Sequence, residues 1–124
     1  MPAKRPEDLH RLFVEAFNAA DVDSLVALYE SGAVLAAQSD AAVSGANAVR
    51  MGLEAFLALK GRIVIKTSRV IPAGDLALLH GKWSLTGTGP DGAPVAMEGQ
   101  NAEVARRQAD GTWRFVIDNP YSCS

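Results

Sequence analysis

The chain is poor in the residues that most often announce chemistry. Its one cysteine, Cys123, stands next to the C-terminus, so no disulfide can form within the chain and a reducing, cytoplasmic setting is expected. Only two histidines are present, His10 and His80; far apart and joined by one terminal cysteine, they make no ligand spacing, so neither a metal nor another cofactor is expected. No acid or nucleophile is spaced to partner them in a triad. His10 reads as a surface residue of a first helical turn, and His80 as structural or interfacial. Charge of one sign is also missing. With 12 basic against 14 acidic residues, and Lys and Arg scattered along the chain, there is no basic stripe for nucleic acid. Nor does any stretch approach the roughly 20 apolar residues that span a bilayer. The opening MPAKRPEDLH has charges with no apolar run behind them, so the chain is expected to be neither secreted nor membrane-bound.

What is present is a core. At 124 residues and 48% hydrophobic, the chain can bury enough surface to fold without staples, and a single domain over 1–124 is expected. After Pro6, apolar side chains at Leu9, Leu12, Phe13, Ala16, Phe17 and Ala20 follow the spacing of one buried helical face. A shorter set, Val22, Leu25, Val26 and Tyr29, starts after Asp21 as an N-cap and stops at Ser31-Gly32, which puts a tight elbow at Ala20-Asp21. Ala33 to Ala37 reads as a short strand. Helical spacing returns from Gly45 to Leu59, apolar all round, as in a helix covered on both sides.

From Arg62 the texture changes to β-branched and alternating residues. Four antiparallel strands are predicted, at about 62–71, 76–86, 95–108 and 112–119, separated by Pro72-Ala73-Gly74-Asp75, Gly89-Pro90-Asp91-Gly92 and Ala109-Asp110-Gly111. Helices followed by hairpin-linked strands predict an α+β domain with helices packed on one face of a curved antiparallel sheet.

Four pieces in order, FNAADVDSLVALY, AVLAAQ, VSGANAVR and DGTWRFVIDNP, resemble the SnoaL-like and ketosteroid isomerase-like branch of the nuclear transport factor 2-like superfamily. The resemblance runs from Glu7 to Pro120. It implies a cone-shaped, cystatin-like α+β fold, three N-terminal helices closing over a bent sheet, an apolar interior and, commonly, a homodimer. It implies little about the reaction, because the fold hosts isomerases, cyclases, dehydratases and association modules.

Isomerization of a ketosteroid needs a carboxylate base and two donors, a tyrosine and a protonated acid, that hold the enolate oxygen. By the resemblance, the tyrosine position falls on Phe13, eight residues before Asp21, and the base position on Ala37, eight after Tyr29. Both groups are missing. The acidic donor falls on Glu103, eight residues before Gly111, and there a carboxyl remains. A missing base and a missing donor each forfeit about 10² to 10⁴ in rate, so ketosteroid isomerization itself is not expected.

Strand alternation nominates an interior wall. Asn101 shares the face of Glu103; Trp113, Phe115 and Ile117 share another, which turns Asn119 inward and Asp118 outward. Gln38, Asn101, Glu103 and Asn119 form the expected polar cluster, with Phe13, Trp83 and Tyr29 as walls, Tyr29 being read as a helix residue whose hydroxyl reaches the backbone. Glu103 has two open readings, an acid facing the interior or a surface ion pair with Arg69 or Arg106. Two functions follow. One is a binder of an apolar, oxygen-bearing small molecule, with a proton-transfer step through Glu103; a cavity of roughly 300 Å³ or more lined by Glu103 would favour it. The other is a non-catalytic homodimeric module, paired through apolar residues such as Leu76, Leu78, Val104 and Val116 on the outer sheet face.

Overall fold

The first helix turns one face inward. In the computed structural model, which describes residues 3–36 and 42–121, α1 (Asp8–Asn18) buries Leu9, Leu12, Phe13, Ala16 and Phe17 together with His10. Just past the helix Ala20 turns into the left-handed region at φ 56°, and the Asp21 N–H reaches back to the Ala16 carbonyl. Asp21 then caps α2 (Val22–Val26) by accepting from the Ser24 N–H at 3.2 Å. The elbow is where the sequence puts it, but α2 is shorter than its apolar spacing suggests. Tyr29 does not continue it; it opens a strand, β1 (Tyr29–Ala36).

A three-residue strand not expected from the sequence, β2 (Ala42–Ser44), returns antiparallel to β1 and leads into α3 (Ala46–Leu57). On α3, Val49 and Leu53 are buried, whereas Met51 on the far side is 70% exposed. The second half forms β3 (Arg62–Ala73), β4 (Leu76–Thr88), β5 (Pro94–Arg107) and β6 (Trp113–Asn119). Their boundaries lie within two residues of the predicted ones, because each break carries a glycine at positive φ: Gly74, Gly92 and Gly111.

The six strands make one sheet in the order β2-β1-β6-β5-β4-β3. Consecutive strands β3 to β6 pair antiparallel as hairpins. β1 instead pairs parallel to β6, with Tyr29 beside Phe115 and Leu35 beside Asp118. That pairing joins the first third of the chain to its end. The inner face of the sheet and the helices enclose the core, in which Phe115, Leu9, Leu25, Leu53, Leu79 and Leu85 are fully buried.

Two irregularities decide which side chains face in. In β5 and β6, Val104 lies opposite Ile117 but Ala105 lies opposite Phe115, so Val116 is an extra residue, a β-bulge. In β3, Thr67 faces Gly81 and Arg69 faces His80, which leaves Ser68 as a second bulge. A bulge switches the in-and-out phase of every residue beyond it.

Candidate functional site

Beyond Val116 the alternation of β6 reverses. Trp113 and Phe115 point inward as expected, but Ile117 is 42% exposed and Asp118 is buried at 8%. The assignment of Asn119 to the interior and Asp118 to the outside is therefore corrected. Asn119 is half-buried and uses its side-chain oxygen to accept from the Tyr121 N–H at 3.1 Å. No bulge interrupts β5 before Glu103, and Asn101 and Glu103 share the inner face as predicted, each 4% exposed.

Among the described residues, the buried polar side chains are His10, Asn101, Glu103 and Asp118. All four line one cavity, whose other walls include Phe13, Phe56, Trp83 and Phe115. The cavity is small, about 50 Å³, well below the roughly 300 Å³ of an ordinary ligand site. Phe13 brings a bare ring, stacked on Phe17 with centroids 5.9 Å apart, and no hydroxyl. Trp83 is a wall, as expected; its indole N–H donates to the Pro120 carbonyl at 2.7 Å. Gln38, like Ala37, lies outside the described residues.

His10 is not a surface residue. It is 3% exposed, and its Nε2 lies 2.5 Å from Glu103 Oε1 while Nδ1 lies 2.7 Å from Thr67 Oγ1. Glu103 thus faces the interior, the first of the two readings made from the sequence, with a histidine partner that neither reading contained. Arg106 pairs with Glu30 at 3.1 Å instead. The second Glu103 oxygen accepts from Asn101 Nδ2 at 2.8 Å. Asn101 Oδ1 is buried with no partner among the described residues. It sits over Gly81, where a Cβ would come within 3.0 Å of it and 2.9 Å of the Lys66 carbonyl; glycine there leaves room for the carboxamide.

Tyr29 is buried behind the cavity wall rather than lining it. Its hydroxyl reaches a side chain, not the backbone, donating to Asp118 Oδ2 at 2.5 Å. Asp118 and Glu103 are direct cross-strand partners. Burial, the Glu103 charge and hydrogen bonding to Glu103 push the Asp118 carboxyl up to about 8, with the Tyr29 hydroxyl opposing in part. Burial and the Asp118 charge likewise hold the Tyr29 phenol well above its usual range. The shift favours the un-ionised form of Asp118, which can donate.

Two of these residues were missed from the sequence for different reasons. His10, Phe13 and Phe17 stand at i, i+3 and i+7, so helical spacing alone puts the histidine on the buried stripe. Asp118 had no such signal, because nothing in Phe115-Val116-Ile117 marks a bulge.

The model for the SnoaL-like domain family matches residues 10–116. The chain belongs to that family. Its structural relatives have the nuclear transport factor 2-like fold. A ketosteroid isomerase-like protein from Erwinia carotovora atroseptica superposes with a TM-score of 0.80 at 20% identity, over 91% of this chain and 89% of the other. A protein from Thiobacillus denitrificans, provisionally named as a calcium/calmodulin-dependent protein kinase type II association domain, is 26% identical over 98% of each chain, with a TM-score of 0.73. One from Streptomyces avermitilis, provisionally named as a dehydratase of the NTF2-like family, is 18% identical over 94% of each, with a TM-score of 0.75. No curated protein matches the chain in sequence. No helix among the described residues is long and apolar enough to cross a membrane.

Proposed function

We propose that this SnoaL-like protein binds a small, neutral, apolar compound carrying a carbonyl or hydroxyl oxygen, and moves a proton on it. The observation that carries the reading is the placing of Asp118 directly across from Glu103 and beside the His10–Glu103 pair, at the polar end of a cavity otherwise walled by aromatic and aliphatic side chains. Asp118 donates to the ligand oxygen, and Glu103, oriented by Asn101, is the proton acceptor. Ketosteroid isomerization is not the proposed reaction, because Phe13 has no hydroxyl to give. At about 50 Å³ the cavity takes a compact ligand, and a larger one requires the walls to part. Titration of the protein with a panel of small ketones, enones and phenols, followed by NMR and native mass spectrometry, tests this. Binding should shift Asp118 and Asn101 resonances and weaken at least tenfold in Asp118→Asn. Binding that ignores both Asp118→Asn and Glu103→Gln, or no binding across the panel, would sink the reading.

A second reading, association of two copies, is favoured by a different observation. Ile71, Leu78, Val104 and Ile117 form one continuous cross-strand row over four strands, on the face turned away from the helices. Ile71 and Ile117 are 39% and 42% exposed. Such a row on an open sheet suits a second copy of the same surface. Light scattering after size exclusion should give a dimer mass, and Ile117→Lys should return a monomer; a monomer for both at micromolar concentration removes this reading.

A further inference from the structure

His10 faces two ways. It lines the inner cavity, and it also lines a separate outer groove between α1 and β3, together with Glu7, Arg11, Glu15, Arg62 and Thr67. Its two ring nitrogens divide between those spaces. Nε2 meets the buried Glu103 at 2.5 Å, and Nδ1 meets Thr67 Oγ1 at 2.7 Å. Thr67 is exposed, whereas His10 and Glu103 are 3% and 4% exposed. The bulge at Ser68 follows Thr67 directly, and opposite Thr67 stands Gly81, whose own partner on β5 is Asn101. A single line of hydrogen-bonding groups therefore runs from the outer groove through the wall to the carboxyl groups.

We propose that Thr67 and His10 form a proton route between solvent and the buried Glu103–Asp118 pair, which recharges the site by a path separate from the ligand cavity. The route deepens the proposed function and rests on it, since a buried acid–base pair that gives or takes a proton must be reset. The balance is simple. At rest the neutral ring holds its proton on Nε2, which donates to the Glu103 carboxylate, and Nδ1 accepts from the Thr67 hydroxyl. A proton from water, relayed by the Thr67 hydroxyl, enters at Nδ1, the ring becomes imidazolium, and the Nε2 proton passes to Glu103; one proton enters the ring and one leaves. The ring is left as the Nδ1–H tautomer, and when Glu103, having taken a proton from a ligand, returns one to Nε2, the Nδ1 proton leaves through Thr67 to water and the resting tautomer is restored. Glu7, Arg11, Glu15 and Arg62 face the outer end; Asn101, Glu103 and Asp118 face the inner one.

The test uses the ligand-free protein with nitrogen-15 in its histidine rings. NMR reads the exchange of the His10 ring protons with water, with His80, on the opposite sheet face, as the internal reference. Thr67→Val keeps a β-branched shape at an exposed strand position, so the fold is retained while the hydroxyl is lost. His10 ring exchange should slow at least tenfold, His80 should not change, and Thr67→Ser should restore the rate. A parallel infrared measurement should show slower deuteration of the buried carboxylic acid in Thr67→Val. Exchange that is unchanged or faster in Thr67→Val, or that Thr67→Ser fails to restore, overturns the route. Neither measurement needs a ligand. Slowed exchange with no ligand binding would leave the route standing and the proposed function fallen; normal binding with unaltered exchange would remove the route alone.

Discussion

The Tyr29 hydroxyl donates to Asp118 at 2.5 Å, across the parallel seam where β1 meets β6 and 89 residues away in sequence. The bond favours the ionised form of Asp118, so Tyr29→Phe should move that carboxyl above about 8. Losing the donor from a buried acceptor should also cost about 1–3 kcal/mol. Carbon-13 titration of the Asp118 carboxyl checks the first effect and urea unfolding the second. A downward movement would show that the hydroxyl is not the group holding Asp118 in check.

Asp118 also sets a pH dependence of stability. Its carboxyl is raised from 3.8 to about 8 on folding, so between those values the folded state binds more protons than the unfolded one. Stability then falls as pH rises through that window and is flat on either side. Asp118→Asn cannot ionise and should remove the slope. The mutant should gain on wild type at pH 8 and lose that advantage near pH 4. Melting curves across pH 4 to 9 decide it; parallel curves for the two proteins would contradict the raised carboxyl.

Removing His10 strands Glu103. A buried carboxylate that loses its partner costs about 3–5 kcal/mol, and His10→Phe should do so at neutral pH. Adding Glu103→Gln removes the stranded charge and should recover a large part of the loss. If the double variant is no more stable than His10→Phe in denaturant unfolding, the pair is not coupled as the 2.5 Å contact implies.

Gly81→Ala should destabilise by about 1–3 kcal/mol, because the added Cβ would lie 2.9 Å from the Lys66 carbonyl, which is backbone, and 3.0 Å from Asn101 Oδ1. The displaced carboxamide should also disturb Glu103. A melt within error of wild type would mean that β4 can shift to make room.

Phe17, 2% exposed and stacked on Phe13, closes the core under α1. Phe17→Ala should cost about 3–5 kcal/mol through the cavity it leaves, read as a steep fall in Tm. An unchanged Tm would mean that α1 is not packed by this face.

The sequence by itself determined the elements that local chemistry controls. Apolar spacing and the Asp21 cap set α1 and the elbow, and glycines at positive φ set the three hairpins, since only glycine reaches those angles without strain. Period-two alternation placed Asn101 and Glu103 on one face because β5 is regular up to that point. Helical spacing held His10 as well, in its register with Phe13 and Phe17. Tertiary structure decided the rest. Tyr29 has an apolar helix pattern before it and still begins a strand, because pairing with β6 satisfies its backbone and burial against Phe115, with ring centroids 5.1 Å apart, satisfies its ring. Asp118 faces inward because Val116 bulges, and a bulge is settled by how two strands and the core fit together rather than by the residue that bulges. The partners His10–Glu103 and Tyr29–Asp118, 93 and 89 residues apart, exist only once the sheet has closed. Local rules reach a turn or a strand pair; which buried acid meets which donor is fixed by packing between elements distant in the chain.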